Sequence, residues 1–254
     1  MTNYTLLCNG DSWTHGEVPA QQLSSVREKK LDWYDIVPNF GNPTQRVDQS
    51  SRYKFYDSQV WPKVLGNELG FKTWNCGRHG ISNNRIFRTT INSISYLESL
   101  GEENILAVIG LTSILRYETW NVYKPNEWEC VTIRPEDFLS KDSEGFEYRE
   151  NLIYNTIINI INLQNFFKSK NIPYLIFSSF DNMDEDLKAS NLFYDIDLNN
   201  IYNNDFRGHF RGYIENKFST NWDEEPYFKT NHPTDISHIE WGKHLSDYIK
   251  EQVL

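Results

Sequence analysis

The sequence predicts an α/β fold in which a parallel sheet is covered by helices on both faces. Three observations predict it: four short apolar runs, segments with helical periodicity between them, and a length that suits one core. The runs "YTLLCNG", "FKTWNCG", "NILAVIGLTS" and "IPYLIFSSF" look like buried parallel strands, each followed by a helical or loop segment. A chain of 254 residues fits one large domain, residues 1–254, and no stretch reads as a linker.

Each element has its own signal. The first strand ends abruptly in Asn9-Gly10-Asp11-Ser12. "WPKVLGNELG" and "NNRIFRTTINSISYLESL" carry apolar residues at helical spacing. A long helix is expected over residues 148–169, directly before the fourth strand, and the tail from "TDISH" onward reads as a helix. Residues 18–59, 119–145 and 181–228 are polar, aromatic and poor in periodicity. They read as long insertions, which in a compact domain are usually functional or carry small elements.

Composition removes several function classes. With 39% apolar residues and 15% aromatic residues the chain can bury a core, which excludes disorder. A net charge of -10 opposes nucleic-acid binding, where affinity comes from Lys and Arg displacing counterions. Cys8, Cys76 and Cys130 are widely spaced without a CxxC pair, and an odd count argues against a full disulfide framework; two of them sit in apolar runs and read as buried free thiols. The start of the chain has no basic region, and no run approaches ~20 apolar residues. The expectation is a protein without signal peptide or membrane span, acting in the cytoplasm or released by another route.

The residues after each strand matter most, because ligands of open parallel sheets bind outside the carboxyl ends of the strands. Gly10-Asp11-Ser12 comes after the first run, Gly77 and Gly80 after the second, and Gly110, Thr112 and Ser113 after the third; Asp235 and His238 stand before the tail helix. A serine hydroxyl becomes a nucleophile when an imidazole accepts its proton, and the imidazole needs a carboxylate to hold its tautomer. Asp235 and His238, three apart on a helical turn, would lie on one face. A glycine turn such as Gly80 presents a backbone N–H to a developing oxyanion. Each piece also has a plainer reading: a turn at Ser12, a helix N-cap at Asp235, a loop glycine at Gly80. His232, which precedes Pro233, competes with His238 for the base. His238 is preferred for its carboxylate three residues before and Gly242 four after.

These blocks resemble the SGNH hydrolase superfamily, the GDSL esterases and lipases. "LLCNGDSW" matches its first block with Ser12 as nucleophile, and Asn75, Gly77 and Gly80 match N-x-G-x-x-G. Asp235, His238 and Gly242 match D-x-x-H with its following glycine, and "WPKVLGNELGF" resembles the family's stretch between the first two blocks. The third block departs from G-x-N-D: Thr112 occupies the asparagine position in Gly110-Leu111-Thr112-Ser113. The resemblance implies a three-layer α/β/α sandwich with a flavodoxin-like sheet, a Ser12, His238, Asp235 triad, and an oxyanion hole of Ser12, Gly80 and Thr112. It also implies ester hydrolysis through an acyl-enzyme with no metal and no cofactor. Thr112 has a second reading as the cap of a helix running through Arg116 and Glu118, which are expected to pair with each other.

The substrate is read from the insertions. "LDWYDIVPNF", "SRYKFYDS" and "RYETWNVYKPNEWE" mix Trp and Tyr with Asp, Glu, Asn and Arg, and flat rings beside polar groups suit a sugar better than an acyl chain. The same rings also suit packing of long loops onto the body. The expectation is a small-acyl, acetyl-type esterase acting on an acylated glycan, with Trp13, His15, Asn83 and Trp120 as candidate substrate-binding residues. A non-catalytic glycan-binding or structural protein, a lipase or a thioesterase remain alternatives. The bias towards Asn, Ile, Tyr and Lys suits a phage- or bacterium-encoded enzyme.

Overall fold

The computed structural model describes residues 4–16, 60–78, 80–120, 128–132, 144–179, 181–222, 224–229 and 231–254. The insertion at 18–59 lies outside these residues. In chain order the elements are β1 (Thr5–Asn9), α1 (Ser12–His15), α2 (Trp61–Leu69), β2 (Lys72–Asn75), α3 (Asn83–Ser99) and β3 (Ile105–Leu111). Then come β4 (Arg116–Trp120), β5 (Trp128–Thr132), α4 (Glu144–Ser169), β6 (Tyr174–Ser178), α5 (Asp184–Lys188) and α6 (Phe210–Phe218). The chain closes with β7 (Phe228–Lys229), β8 (His232–Pro233) and α7 (Asp235–Gln252).

The four apolar runs form one parallel sheet in the order β2-β1-β3-β6. Alternation along the strands assigns side chains to two faces. Leu7, Ala107, Ile109 and Ile176 face a core shared with Ile86 and Ile94 of α3 and Ile157, Ile160 and Phe167 of α4. Leu6, Cys8, Leu106, Val108 and Phe177 face the other core, with Trp61 and Leu65 of α2, Phe210 of α6, and Trp241, Leu245 and Ile249 of α7. Both faces are dry at β1, β3 and β6, which is why these three read as continuous apolar runs, while β2 at the sheet edge is only partly covered. The order reverses between β1 and β3, and there the carboxyl ends of adjacent strands diverge to leave a crevice.

Helix boundaries follow local chemistry. Ser82 caps α3 by accepting the Arg85 N–H at 3.3 Å, and Pro62 stands in the first turn of α2, where its missing N–H costs nothing. Helices α2 and α7 approach closely at Gly242, where a Cβ would stand 2.7 Å from Val64 Cβ and 3.0 Å from the Trp61 carbonyl oxygen. Gly242→Ala should therefore cost about 1–2 kcal/mol although alanine is the better helix former, because overpacking exceeds the propensity gain. Chemical denaturation measures this directly.

Two segments differ from their sequence reading. The chain after Thr112 forms no helix: β4 pairs antiparallel with β5 in the register Arg116↔Thr132 to Trp120↔Trp128. Residues 181–228 also pack into the body. Met183, Leu187, Phe193, Ile196, Ile201 and Phe206 join the α3–α4 core, carried on α5 and three short 3₁₀ turns. Ile201 and His209 make single parallel bridges to Ile176 and Ser178 of β6, so the chain runs beside the sheet edge without building a fifth strand. No helix among the described residues is long and apolar enough to cross a membrane.

Candidate active site

The end of β1 is fixed from several sides. The Asn9 amide, fully buried, donates to the Ile86 carbonyl at 3.0 Å and reaches the Thr89 and Thr90 hydroxyls of α3. Its oxygen accepts from Gly10 N–H at 2.9 Å. Asp11 then caps α1 by accepting the Trp13 N–H at 3.0 Å on Oδ1. Its other oxygen accepts from the Thr112 hydroxyl at 2.9 Å and from Arg116 Nη1 at 3.2 Å. Burial raises the Asp11 carboxyl above its usual range; the Arg116 charge, the Trp13 and Thr112 hydrogen bonds and His232 act against that rise. Ser12 is next in the chain, 2% exposed.

The loop after β2 is pressed onto this turn. Asn75 donates from Nδ2 to the Thr14 carbonyl at 3.1 Å and accepts from Gly77 N–H at 2.9 Å. Gly77 has no room for a side chain, since its Cβ would stand 2.7 Å from His15 N and 2.8 Å from Thr14 C. Arg78 N–H donates to the Gly10 carbonyl at 2.9 Å. Gly80, with φ +66°, takes a left-handed turn that favours glycine. Neither Ser12 N–H nor Gly80 N–H donates to a partner among the described residues.

The imidazole at Ser12 belongs to His232. Its Nε2 stands 3.0 Å from Ser12 Oγ. The β7–β8 hairpin delivers it, in the register Phe228↔Pro233 and Lys229↔His232. Phe228 is buried against Trp13, ring centroids 5.9 Å apart. The Thr234 and Ser237 hydroxyls, donating to the Pro226 and Tyr227 carbonyls at 2.6 and 2.7 Å, tie the hairpin to the start of α7.

His238 takes a different place from the one expected for it. It is fully buried, its Nδ1 accepts the Trp61 N–H at 3.3 Å, and its ring lies edge-on to Phe210 at 5.5 Å. Burial, with the His232 charge second, pushes it down to about 3, so it is a neutral core residue. Asp235 opens α7, half-buried, and makes no hydrogen bond to His238 among the described residues. The physical reason is the helix face: His238, Trp241, Gly242 and Leu245 recur at i, i+3, i+4 and i+7 and all point inward. That spacing is the signal available in the sequence; a histidine just ahead of a helix start is left free to face the sheet edge.

Thr112 is likewise committed. Its hydroxyl proton goes to Asp11, its oxygen accepts from Arg116 Nη1 at 2.9 Å, and its N–H donates to Asn83 Oδ1 at 2.9 Å. The Asn83 amide returns a bond to the Thr112 carbonyl at 3.0 Å, so Asn83 ties α3 to the end of β3. Arg116 and Glu118 do not pair with each other. Arg116 goes to Asp11, while Glu118 is gripped by Arg88 at 2.9 Å with Arg85 at 3.7 Å. Trp13 is a core residue, edge-on to Phe210 at 5.4 Å. His15 ends α1, half-buried. Trp120 ends β4, and its side chain lies outside the described residues.

A family model described as Family of unknown function (DUF6071) matches residues 43–254. No curated protein matches the sequence. Among solved structures, the chain is similar to psychrotrophic esterase EstA from Pseudoalteromonas sp. in a structure inhibited by monoethylphosphonate, at 12% identity and a TM-score of 0.47, covering 98% of each chain. It is similar to a carbohydrate esterase family 2 enzyme with a carbohydrate binding domain from Corynascus thermopiles, at 10% identity and a TM-score of 0.46, covering 99% of this chain and 67% of that one. A member of the lipolytic protein G-D-S-L family from Veillonella parvula DSM 2008 gives 14% identity and a TM-score of 0.39, covering 98% of this chain and 97% of that one.

Proposed function

This chain belongs to the DUF6071 family, whose function is unknown, and we propose that it is a serine esterase that removes small acyl groups, most simply acetyl, from a carbohydrate. The single observation that carries this reading is the 3.0 Å contact between Ser12 Oγ and His232 Nε2. It lies at the carboxyl end of a parallel sheet, beside the point where strand order reverses.

In this reading Ser12 Oγ attacks the acyl carbon as its proton passes to His232 Nε2. The oxyanion that forms is met by the Ser12 and Gly80 N–H groups, both left without partners among the described residues. His232 then gives its proton to the departing alcohol, leaving an acyl-serine; it next takes a proton from the water that attacks the acyl carbon and passes it to Ser12 Oγ as the acid leaves. The position three residues before His232 is Lys229, not a carboxylate. The buried carboxylate of Asp11 adds negative potential at the imidazole, while Arg116 and Thr112 fix the orientation of that carboxylate. Thr112 then serves by holding Asp11, and the oxyanion is served by backbone donors.

The test is covalent labelling. A serine-directed fluorophosphonate should add one adduct per chain, mapped by mass spectrometry to the peptide containing Ser12, and Ser12→Ala should abolish it along with hydrolysis of 4-nitrophenyl acetate. Full hydrolysis by Ser12→Ala would sink the reading.

A further inference from the structure

Among the described residues, one guanidinium near this site stands without a charged partner. Among the described residues four guanidinium groups gather at the sheet edge, on Arg78, Arg85, Arg88 and Arg116, around two buried carboxylates. Asp11 takes Arg116. Glu118, with 2% of its side chain exposed, takes Arg88 through both oxygens, at 2.9 and 3.3 Å, with Arg85 more distant at 3.7 Å. Arg78 has neither ion pair nor side-chain hydrogen bond among the described residues, although it is half-buried. A half-buried guanidinium without a protein partner among the described residues carries a desolvation cost that a bound anion would offset.

Its position gives that anion a purpose. The Arg78 N–H is held on the Gly10 carbonyl at 2.9 Å, two residues from Ser12, and Arg78 lies between Gly77, packed on α1, and Gly80. Desolvation, with Arg85 second, presses the Arg78 guanidinium below its ordinary range and Glu118 only partly offsets this. A chain of net charge -10 repels anions in general, so an anionic substrate needs such a local counter-field.

We propose that Arg78, assisted by Arg85, is a carboxylate-recognition site on the loop whose main chain is tied to Gly10, two residues before Ser12, and that the ester taken there carries its negative charge on the alcohol portion, as an acidic sugar does. This rests on the esterase reading: an acetyl group bears no charge, so the charge must sit on the part that leaves. The planar fork of arginine suits a carboxylate bidentately, which gives orientation as well as attraction.

The experiment compares kcat/KM for 3-acetoxybenzoate and 4-acetoxybenzoate with the corresponding neutral acetoxybenzamides. The wild type should favour at least one of the two benzoates over its amide by about 10-fold or more, with the preference shrinking as salt is raised. Arg78→Gln should bring the ratio to about 1, and Arg78→Lys should keep part of it. Equal rates on both members of each pair, with Ser12→Ala inactive, would overturn the subsite and leave the esterase reading standing. If none of these esters is hydrolysed, the esterase reading falls alone, and the subsite is decided by titrating 3-hydroxybenzoate and 3-hydroxybenzamide while following the arginine Nε–H signals by NMR. Perturbation of the signal missing in Arg78→Gln by the benzoate, and not by the amide, supports the subsite; an unmoved signal overturns it.

Discussion

His232→Ala should lower kcat for 4-nitrophenyl acetate on the order of 10⁴-fold, matching Ser12→Ala, while His238→Leu should keep turnover within about threefold of wild type. The contrast comes from geometry. Of these two histidines His232 reaches Ser12 Oγ, at 3.0 Å; the Nδ1 of His238 is turned to the Trp61 backbone, and its ring sits inside the core. Members of one catalytic unit act together, so the double variant Ser12→Ala/His232→Ala should be no slower than either single one. Steady-state rates with the three variants decide this. If His238→Leu matched the loss of Ser12→Ala while remaining folded, as read by near-UV circular dichroism, the assignment of His232 would be wrong.

The contrast also indicates how far the sequence is legible. Strands β1, β3 and β6 can be read because strands buried on both faces must be apolar throughout, and "ILAVIGL" is too apolar to face water on either side. Helices α2 and α3 can be read because one stripe faces the sheet: Ile86, Thr90, Ile94 and Leu97 in α3. Residues 190–209 cannot, because 3₁₀ turns and single-residue bridges carry no period, and their apolar side chains enter the core one at a time. Ser12 is legible from its place after a buried strand. The histidine that stands at Ser12 is missed because an Asp-x-x-His spacing is satisfied equally well by the first turn of an amphipathic helix, where Asp235 and His238 in fact lie. Thr112 cannot be resolved from the chain alone, since its role depends on Arg116 crossing back to Asp11 from the following strand.

The second large effect is on stability in acid. The folded chain holds His238 neutral down to about 3, against an ordinary value of 6.5, so below pH 6.5 the unfolded chain binds a proton that the folded chain refuses. Stability is therefore complete above 6.5 and declines as pH falls through the window from 6.5 to about 3, by up to about 1.4 kcal/mol per pH unit for this residue. Between pH 8 and pH 5 the loss from His238 alone comes to about 2 kcal/mol. Burial lowers His209 and His244 as well, and both steepen the decline. The raised carboxyl of Asp11 opposes it, because there the folded state keeps a proton more readily than the unfolded one. Urea denaturation at the two pH values should show wild type losing stability and His238→Leu losing about 2 kcal/mol less than wild type. An equal loss in both would mean that His238 is protonated as easily inside the fold as outside it, and the apolar enclosure by Trp61, Phe210 and Trp241 would not be acting on its charge.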